Sequence, residues 1–332
     1  MKQNISGDGW WLPILAGSSW PRMWLRPIPN PQPRSYEATA MPFGEHLTTM
    51  VTPFAKGGHL DHERAARLAR HLLANGSDGL VVSGSTGESS TLTDGERLAL
   101  FSTIVEAVAG GGSVVANTGT NDTHHTIELT MRAAELGVDG VMVVTPYYSL
   151  PSQSGILAHF ASIADATALP LIVDNDPLRT GRLIEIETLA EMAQHPNIIA
   201  TKDSVDDIDF TAACRASLPD DFAIYAGTDR SILRALEAGA IGAISVAGHF
   251  AGRQIKRLIQ VHGKGDVAEA ERLHLGLGPI FEACRIEPDP MPTKAGLNDL
   301  WESVGDPRLP LLAGDPEVRE AVAAATGLAQ KL

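Results

Sequence analysis

A recurring alternation of apolar runs with helical segments constrains the fold of this chain more than any other feature. Each run is short, rich in β-branched residues and ends in small or polar residues. The segment after it has apolar residues at three- and four-residue spacing, as an amphipathic helix requires. Strands that are apolar throughout belong to a parallel sheet covered on both faces or closed on itself. The runs begin at residues 46, 79, 113, 140, 170, 197, 222 and 242.

Eight such units predict an α/β fold, a (β/α)8 TIM barrel with extra C-terminal helices. A doubly wound open sheet is the alternative, but no G-x-G-x-x-G follows the first strand and opens a helix. We expect residues 43–250 to form the barrel and residues 251–332 to form a C-terminal helical extension. Extra helices are predicted near residues 266–285, 292–304 and 315–329.

Residues 1–42 differ from the rest of the chain. They contain four of the five tryptophans and many prolines, without usable periodicity. Their apolar patch, Trp10 to Ala16, is too short and poorly placed for a signal peptide. This composition predicts a disordered leader or a misassigned start, with the true start at Met41. We therefore leave the segment out of the predicted fold.

Charge and cysteine content exclude several kinds of partner and compartment. The formal net charge of −14 argues against nucleic acid or an anionic membrane surface as a partner. Cys214 and Cys284 lie far apart in sequence, which does not suggest a disulfide framework and favours a reducing cytoplasm. No apolar run approaches the ~18 residues of a membrane span. The composition predicts a cytoplasmic protein without membrane attachment.

Active sites of TIM barrels lie at the C-terminal ends of the strands, which focuses attention on the run "NIIATKDS". A lysine at a strand end is commonly a solvated charge, whereas a lysine buried at a barrel mouth is a candidate nucleophile. Because Lys202 ends the sixth predicted strand, the nucleophile is the preferred interpretation. The glycine-rich "GSTGES" (84–89) offers backbone N–H groups and hydroxyls that suit a carboxylate, although a plain turn explains it as well.

No metal or phosphate motif is present in the sequence. "GSTGES" lacks the spacing of a P-loop, and His124 and His125 have no histidine or cysteine at ligand spacing nearby. The acidic "DND" (174–176) lacks the ligand set of a calcium loop. We expect no bound metal.

Several motifs together resemble the dihydrodipicolinate synthase/N-acetylneuraminate lyase family. They stand in the order and spacing of that family, and the likeness runs from about Phe43 to the C-terminus. The resemblance implies a (β/α)8 class I pyruvate lyase, usually a homotetramer, that uses no metal and no cofactor beyond a covalent Schiff base. The motifs are "GSTGES", "VTPYYSLPSQSG", "NDPLRTG", "NIIATKDS", "GAISV" and "EPDPMPTKAGLN".

The resemblance implies a role for each of several residues. Lys202 matches the lysine that attacks the ketone of pyruvate and forms the iminium. Ser85 and Thr86 match the pair that binds the pyruvate carboxylate, and Thr86 and Tyr148 match members of a proton relay. Tyr148 would reach into the pocket of a neighbouring subunit. Arg179 matches the arginine that holds the carboxylate of the incoming aldehyde in the synthases.

The same resemblance places Gly84 and Ile244 among the substrate-binding residues.

The resemblance also implies a lysine-inhibition site with an asparagine, a glutamate and a tyrosine. Asn121 and Tyr147 are present, but His125 occupies the glutamate position. An imidazole cannot replace a carboxylate as partner of an ammonium group, which predicts insensitivity to lysine unless Asp122 or Asp94 compensates.

One departure from the family concerns the tyrosine of strand five, whose position is occupied by Asp174. A phenol with a pKa near 10 can donate a proton at neutral pH, whereas an ordinary carboxyl is ionised. An aspartate would also favour the charged form of Lys202. Asp174 therefore serves as a different acid/base, or the enzyme handles another aldehyde or a preformed keto acid, or the chain is a weakened paralogue.

The preferred prediction is a 4-hydroxy-tetrahydrodipicolinate synthase of the lysine (diaminopimelate) pathway, which condenses pyruvate with the carboxylate-bearing L-aspartate 4-semialdehyde. Arg179 favours the synthase, because the neuraminate lyases generally lack this arginine. The alternatives are an aldolase or dehydratase of 2-keto-3-deoxy acids that uses the same lysine, and a weakly active paralogue that binds keto acids.

Overall fold

The computed structural model describes residues 42–332. The predictions of a disordered leader and of a start at Met41 therefore lie outside the described residues. No helix within the described range combines the length and the apolar character needed to cross a membrane.

Eight parallel strands close into a barrel in the order in which they occur in the chain. Each strand pairs with the next, and the last pairs with the first through Leu47 and Ile244. The prediction of a (β/α)8 barrel with C-terminal helices is confirmed. The strands are β1 His46–Thr49, β2 Gly79–Val82, β3 Ser113–Asn117, β4 Gly140–Val144, β5 Leu171–Asn175, β6 Ile198–Asp203, β7 Ala223–Ala226 and β8 Gly242–Ser245.

Helices alternate with the strands, and further helices follow the barrel. They are α1 His62–Ala74, α2 Asp94–Val108, α3 Thr123–Glu135, α4 Gln153–Asp165, α5 Pro177–Thr180, α6 Ile186–Met192, α7 Ile208–Ser217, α8 Ile232–Glu237, α9 Gly248–Gly263, α10 Val267–Ala283, α11 Met291–Leu300 and α12 Pro316–Ala329.

Alternate residues of each strand face the interior of the barrel or the layer of helices, because successive side chains point to opposite sides. Ile172 of β5 and Ala200 of β6 belong to the buried interior cluster, whereas Val173 packs beneath the helices. Asp174 and Lys202 stand two residues after Ile172 and Ala200. Their side chains therefore also point towards the interior. The fold thus aims both side chains into the mouth of the barrel.

The helix after the eighth strand was missed by the sequence analysis, which placed residues beyond 250 outside the repeating units. α9 begins at Gly248, packs against β1 and completes the outer layer. Its first turns contain two glycines, and Ala251 departs from helical geometry with φ −134°. The apolar spacing that identifies a helix in the sequence is therefore interrupted at its start. The predicted division between residues 250 and 251 falls inside this helix and stays a prediction.

The three later helices agree closely with the predicted ranges. α12 packs on both α10 and α11, and α10 and α12 pack on α9. The connection from α10 to α11 brings Pro288 and Asp289 over the mouth of the barrel. The C-terminal extension therefore supplies part of the wall of the cavity described below.

Candidate active site

A cavity of about 320 Å³ opens at the C-terminal ends of the strands. Its wall combines the glycine-rich loop after β2, the ends of β3, β4 and β5, and the C-terminal extension. This is the face at which TIM barrels carry their active sites. The polar residues that line it include Ser85, Glu88, Asn117, Tyr147, Asp174, Asp176, Arg179 and Asp289.

Lys202 and Asp174 form a buried ion pair at this mouth. The two residues are register partners on adjacent parallel strands, so their side chains lie next to each other on the same side of the sheet. Lys202 Nζ donates to Asp174 Oδ1 at 2.8 Å, and the residues are only 7% and 5% exposed. Asp174 lines the cavity, whereas Lys202 lies behind Asp174 and is not itself among the lining residues.

A glycine on the neighbouring strand makes room for the lysine. A Cβ at Gly227 would lie 2.9 Å from Lys202 Cγ and 2.1 Å from Ser204 Oγ, closer than side-chain atoms tolerate. Gly227 directly follows β7, which pairs with β6. The aliphatic stem of Lys202 is thus packed against backbone, which holds the amine in place.

The charges around the pair determine its protonation. Burial acts to lower the pKa of Lys202, but the charges of Asp174 and Asp176 and the hydrogen bond to Asp174 outweigh it, and the pKa is raised. Burial raises the pKa of Asp174, and the charge of Lys202 opposes this shift. The resting lysine is therefore an ammonium ion beside a carboxylate that readily accepts a proton.

Thr86 is held by a carboxyl group that the sequence analysis did not single out. Its hydroxyl donates to Asp289 Oδ2, and Asp289 Oδ1 accepts from the Thr293 hydroxyl at 3.1 Å. Burial raises the pKa of Asp289, and the hydrogen bond from Thr86 acts in the opposite direction. Asp289 belongs to the quoted "EPDPMPTKAGLN" motif, but only its burial and its contact with Thr86 reveal its place in the site.

Arg179 stands on the cavity wall next to a second carboxylate. Asp176 Oδ1 accepts from the backbone N–H of Arg179 at 3.2 Å and caps α5. The other oxygen, Oδ2, lies 3.6 Å from Arg179 Nε. The Arg179 side chain is 44% exposed, whereas that of Asp176 is 12% exposed. Asp176 was also missed, because in the sequence it is one acid among several in "DNDP".

The remaining predicted residues lie in different surroundings. Ser85 lines the cavity, and Gly84 lies beside it, where a Cβ would be 3.3 Å from Thr49 Oγ1. Ile244 is buried in the interior cluster of the barrel. Tyr148 is 90% exposed and has a positive φ of 72°, so it points away from the described parts of its own chain.

A second buried lysine supports the glycine-rich loop from behind. Lys294 Nζ lies 2.6 Å from Glu88 Oε1, and both side chains are only 1% exposed. The amine also lies 4.1 Å from the centre of the Phe54 ring. Burial lowers the pKa of Lys294 to about 8, although Glu88 acts to raise it. Since its neighbours are distant in sequence, this pair was not recognisable from local patterns.

His125, which occupies the glutamate position of the implied lysine-inhibition site, lies in the first turn of α3. His125 Nε2 is 2.8 Å from Asp94 Oδ2, and Asp122 Oδ1 accepts from the backbone N–H of His125 at 2.7 Å. Both carboxylates that could compensate for the missing glutamate are thus engaged with His125. Within residues 42–332 no group of three or more histidine, cysteine or acidic side chains is arranged to hold a metal ion.

A closed barrel with a buried lysine–carboxylate pair and a polar cavity at its mouth is the architecture of a TIM-barrel enzyme. The chain belongs to the Dihydrodipicolinate synthetase family, whose family model matches residues 42–328. The prediction of this family from the sequence motifs is confirmed.

Individual relatives agree with this assignment. The 4-hydroxy-tetrahydrodipicolinate synthase of Thermosynechococcus vestitus is 46% identical over 277 residues, which cover 83% of this chain and 94% of that protein. The same-named enzyme of Moorella thermoacetica is 45% identical and covers 87% of this chain and 100% of its own length. The lysine-bound crystal structure of the synthase from Cyanidioschyzon merolae matches with a TM-score of 0.85 and 40% identity, and covers 88% of this chain and 99% of that one.

Proposed function

We propose that this chain is a 4-hydroxy-tetrahydrodipicolinate synthase that condenses pyruvate with L-aspartate 4-semialdehyde through a Schiff base on Lys202. The names of its relatives support this function, and they do not favour a 2-keto-3-deoxy acid aldolase or a non-catalytic paralogue. The observation that carries the proposal is the Lys202–Asp174 pair at the mouth of the barrel, 2.8 Å between Nζ and Oδ1.

Asp174 provides the base that converts Lys202 into a nucleophile. A proton passes from the ammonium group of Lys202 to Asp174 and leaves a neutral amine and a neutral carboxyl. The pair has no net charge before or after this transfer, and burial favours the uncharged forms. The amine then attacks the pyruvate ketone, and loss of water yields the iminium.

The same carboxylate suits the next proton transfer. Once Asp174 has returned its proton to the departing water, it faces a positively charged iminium in place of the ammonium ion. Loss of a methyl proton from pyruvate turns the iminium into a neutral enamine, and Asp174 accepts that proton. The negative and positive charges disappear together, which avoids an unpaired buried charge. General acid–base groups of this kind typically contribute about 10²- to 10⁴-fold in rate.

Carboxylate recognition is divided between two parts of the cavity. Ser85 and Thr86 bind the pyruvate carboxylate, and Gly84 and Ile244 shape the space around it. Arg179 binds the carboxylate of the aldehyde, because a guanidinium group grips a carboxylate with two parallel hydrogen bonds. The exposure of Tyr148 supports its role as a relay residue in a neighbouring subunit of a homotetramer. We propose a cytoplasmic enzyme that uses no metal or further cofactor.

We also infer that free lysine does not regulate this chain. The synthase of Cyanidioschyzon merolae binds lysine, but here His125 occupies the position at which the family's glutamate would meet an ammonium group. Asp94 Oδ2 and Asp122 Oδ1 both contact His125, so one oxygen of each neighbouring carboxylate is already in use.

Borohydride trapping with pyruvate, followed by peptide mass spectrometry, tests the proposed Schiff base. We expect the pyruvyl adduct on Lys202 and none on Lys294, the other buried lysine. Lys202→Arg keeps a cation beside Asp174 and should fold normally but form no adduct. Lys256→Ala, at the opposite end of the barrel, should form the adduct as the wild type does. An adduct on Lys294, or one that persists in Lys202→Arg, would show that Lys202 is not the nucleophile.

A condensation assay then tests the second substrate. We expect L-aspartate 4-semialdehyde to be consumed in a reaction that requires pyruvate. Adduct formation without condensation would support a keto-acid-binding paralogue instead.

A further inference from the structure

Two opposite charges stand side by side on one wall of the cavity. Asp176 and Arg179 both line it, and Asp176 Oδ2 lies 3.6 Å from Arg179 Nε. The Arg179 side chain is 44% exposed, which leaves room for it to contact a second partner. A lone cation at this place would suit any acidic aldehyde, whereas a pair of opposite charges suits a ligand that carries both signs.

The pair lines the same cavity as Asp174, the carboxylate that contacts the reacting amine of Lys202. Burial acts to lower the pKa of Lys202; among the nearby charges, Asp176 acts to raise it and Arg179 to lower it. Both charges therefore lie within electrostatic reach of the amine. An aldehyde that meets the enamine at Lys202 and extends along this wall would present its far end to Asp176 and Arg179.

The need for a helix cap does not explain why the residue at 176 is charged. Asp176 Oδ1 accepts from the backbone N–H of Arg179, but asparagine or serine would cap the helix equally well. Burial of a carboxylate is unfavourable unless a cation compensates it. Among the described residues, the second oxygen of Asp176 has only the 3.6 Å contact with a half-exposed arginine. That oxygen retains capacity for a further positively charged hydrogen-bond donor.

We propose that Asp176 and Arg179 together recognise the head group of an α-amino acid. Arg179 binds the carboxylate, and Asp176 Oδ2 accepts from the α-ammonium group attached to the same carbon. Asp176 is then the residue that distinguishes an amino-acid aldehyde from a simple acidic aldehyde. This inference rests on the proposed condensation at Lys202 and specifies the class of aldehyde that the site accepts.

The test compares two aldehydes that differ only in the amino group. Succinic semialdehyde has the carbon chain and carboxylate of L-aspartate 4-semialdehyde but no ammonium group. Asp176→Asn keeps the volume and the helix-capping oxygen and removes the charge. We expect its kcat/KM for L-aspartate 4-semialdehyde to fall about ten- to a hundredfold, the usual effect of losing a charged hydrogen bond. For succinic semialdehyde we expect kcat/KM to stay unchanged or to rise.

Arg179→Ala serves as the matched control, because both aldehydes carry the carboxylate. It should reduce kcat/KM for both aldehydes, and both variants should still form the pyruvate adduct on Lys202. Asp176→Ala removes the helix cap as well as the charge. Comparing its thermal midpoint of unfolding with that of Asp176→Asn separates the loss of helix stability from the loss of charge. Equal losses for both aldehydes in Asp176→Asn, or no loss for either, would overturn the inference and leave Asp176 as a cap only.

Failure of the proposed function gives a different result. If the wild type forms the pyruvate adduct but condenses with neither aldehyde, the synthase function and this inference both fall. If it condenses with both aldehydes and Asp176→Asn does not discriminate between them, only the inference falls.

Discussion

Asp174 makes the chemistry of this site depend on an ion pair between neighbouring strands. Lys202 and Asp174 are register partners of β6 and β5, and both are almost completely buried. A neutral phenol at this place would not offset the burial of the lysine with a negative charge. The charge of Asp174 acts to keep the lysine protonated, and in the proposed mechanism the carboxylate takes up that proton.

Asp174→Asn should separate Schiff-base formation from turnover. Without the charge of Asp174, burial acts more strongly against the ammonium form of Lys202, so the pyruvate adduct should still form. The step from iminium to enamine loses its base, and kcat should fall about 10²- to 10⁴-fold. Borohydride trapping and steady-state kinetics on the same preparation measure the two effects. Asp174→Tyr should retain more turnover than Asp174→Asn, since a phenol can exchange a proton. Equal turnover in wild type and Asp174→Asn would contradict the proposed role.

Asp289 should make pyruvate binding weaker at higher pH. Burial raises the pKa of this carboxyl, and Asp229 acts in the same direction, while the hydrogen bond from Thr86 and the charge of Arg179 act to lower it. Burial and Asp289 also raise the pKa of the nearby Cys284 thiol, so that group stays uncharged at neutral pH.

As pH rises through the raised pKa of Asp289, the acid becomes an anion that repels the pyruvate carboxylate held beside Thr86. The KM for pyruvate should therefore increase with pH in the wild type. In Asp289→Asn, which cannot ionise, KM should change little over the same range. If the KM for pyruvate changed with pH in the same way in the wild type and in Asp289→Asn, a group other than Asp289 would be responsible.

These residues also mark the limit of what the sequence could predict. Lys202 was recognisable because it ends a strand in a periodic pattern, and the barrel places strand ends around the active site. Asp289 was not, because its partner Thr86 is 203 residues away and its importance depends on burial. Asp176 was not recognisable from the sequence either, because its charge pair with Arg179 depends on how α5 turns towards the cavity.

At the scale of the elements, the glycine-rich loop after β2 is held by a residue from the C-terminal extension. Lys294 of α11 pairs with Glu88 of the loop, 2.6 Å apart, in a fully buried setting. Arg308 reinforces the contact, since its backbone N–H donates to Glu88 Oε2 at 2.8 Å. The extension thereby fixes the loop that carries Ser85 and Thr86.

Lys294→Met should destabilise the protein strongly, because Glu88 would become a buried charge without its cation. Loss of one member of such a pair typically costs about 3–5 kcal/mol. The double variant Glu88→Gln/Lys294→Met removes both charges and should recover most of the free energy of unfolding. Urea denaturation of the wild type, the two single variants and the double variant measures this coupling. Additive losses would mean that the two charges stabilise the loop independently.

The outer layer of helices shows a different limit of sequence analysis. The β/α alternation identified all the strands, since each is apolar over its length. α9 was missed because its first turns contain glycines and an irregular residue at Ala251. Its position becomes evident only when the barrel closes and β1 needs cover.

For the whole molecule, the α3 region gives a prediction about lysine, which is bound in the structure of the synthase from Cyanidioschyzon merolae. We predict that lysine does not inhibit, because His125 cannot accept from an ammonium group in the way a glutamate does. A lost charged contact of this kind costs about 2–5 kcal/mol, which moves a sub-millimolar inhibitor out of its useful range. Titration of lysine into the active enzyme, and calorimetric titration alongside it, provide the measurement. Saturable binding below about 1 mM, near −4 kcal/mol, would contradict the prediction.

The pairing of Lys202 with Asp174 also bears on how the protein would respond to covalent labelling. Acylating reagents modify amines that are unprotonated and accessible, and Lys202 at rest is neither, with 7% of its surface exposed. Such reagents would mark surface lysines and pass over the proposed Schiff-base lysine. A small keto acid differs from these reagents in fitting the cavity and in placing its carbonyl where Asp174 can take the proton from the amine. The reactivity of this lysine therefore belongs to the complex with its substrate, and a search for unusually reactive amines in the free protein would overlook it.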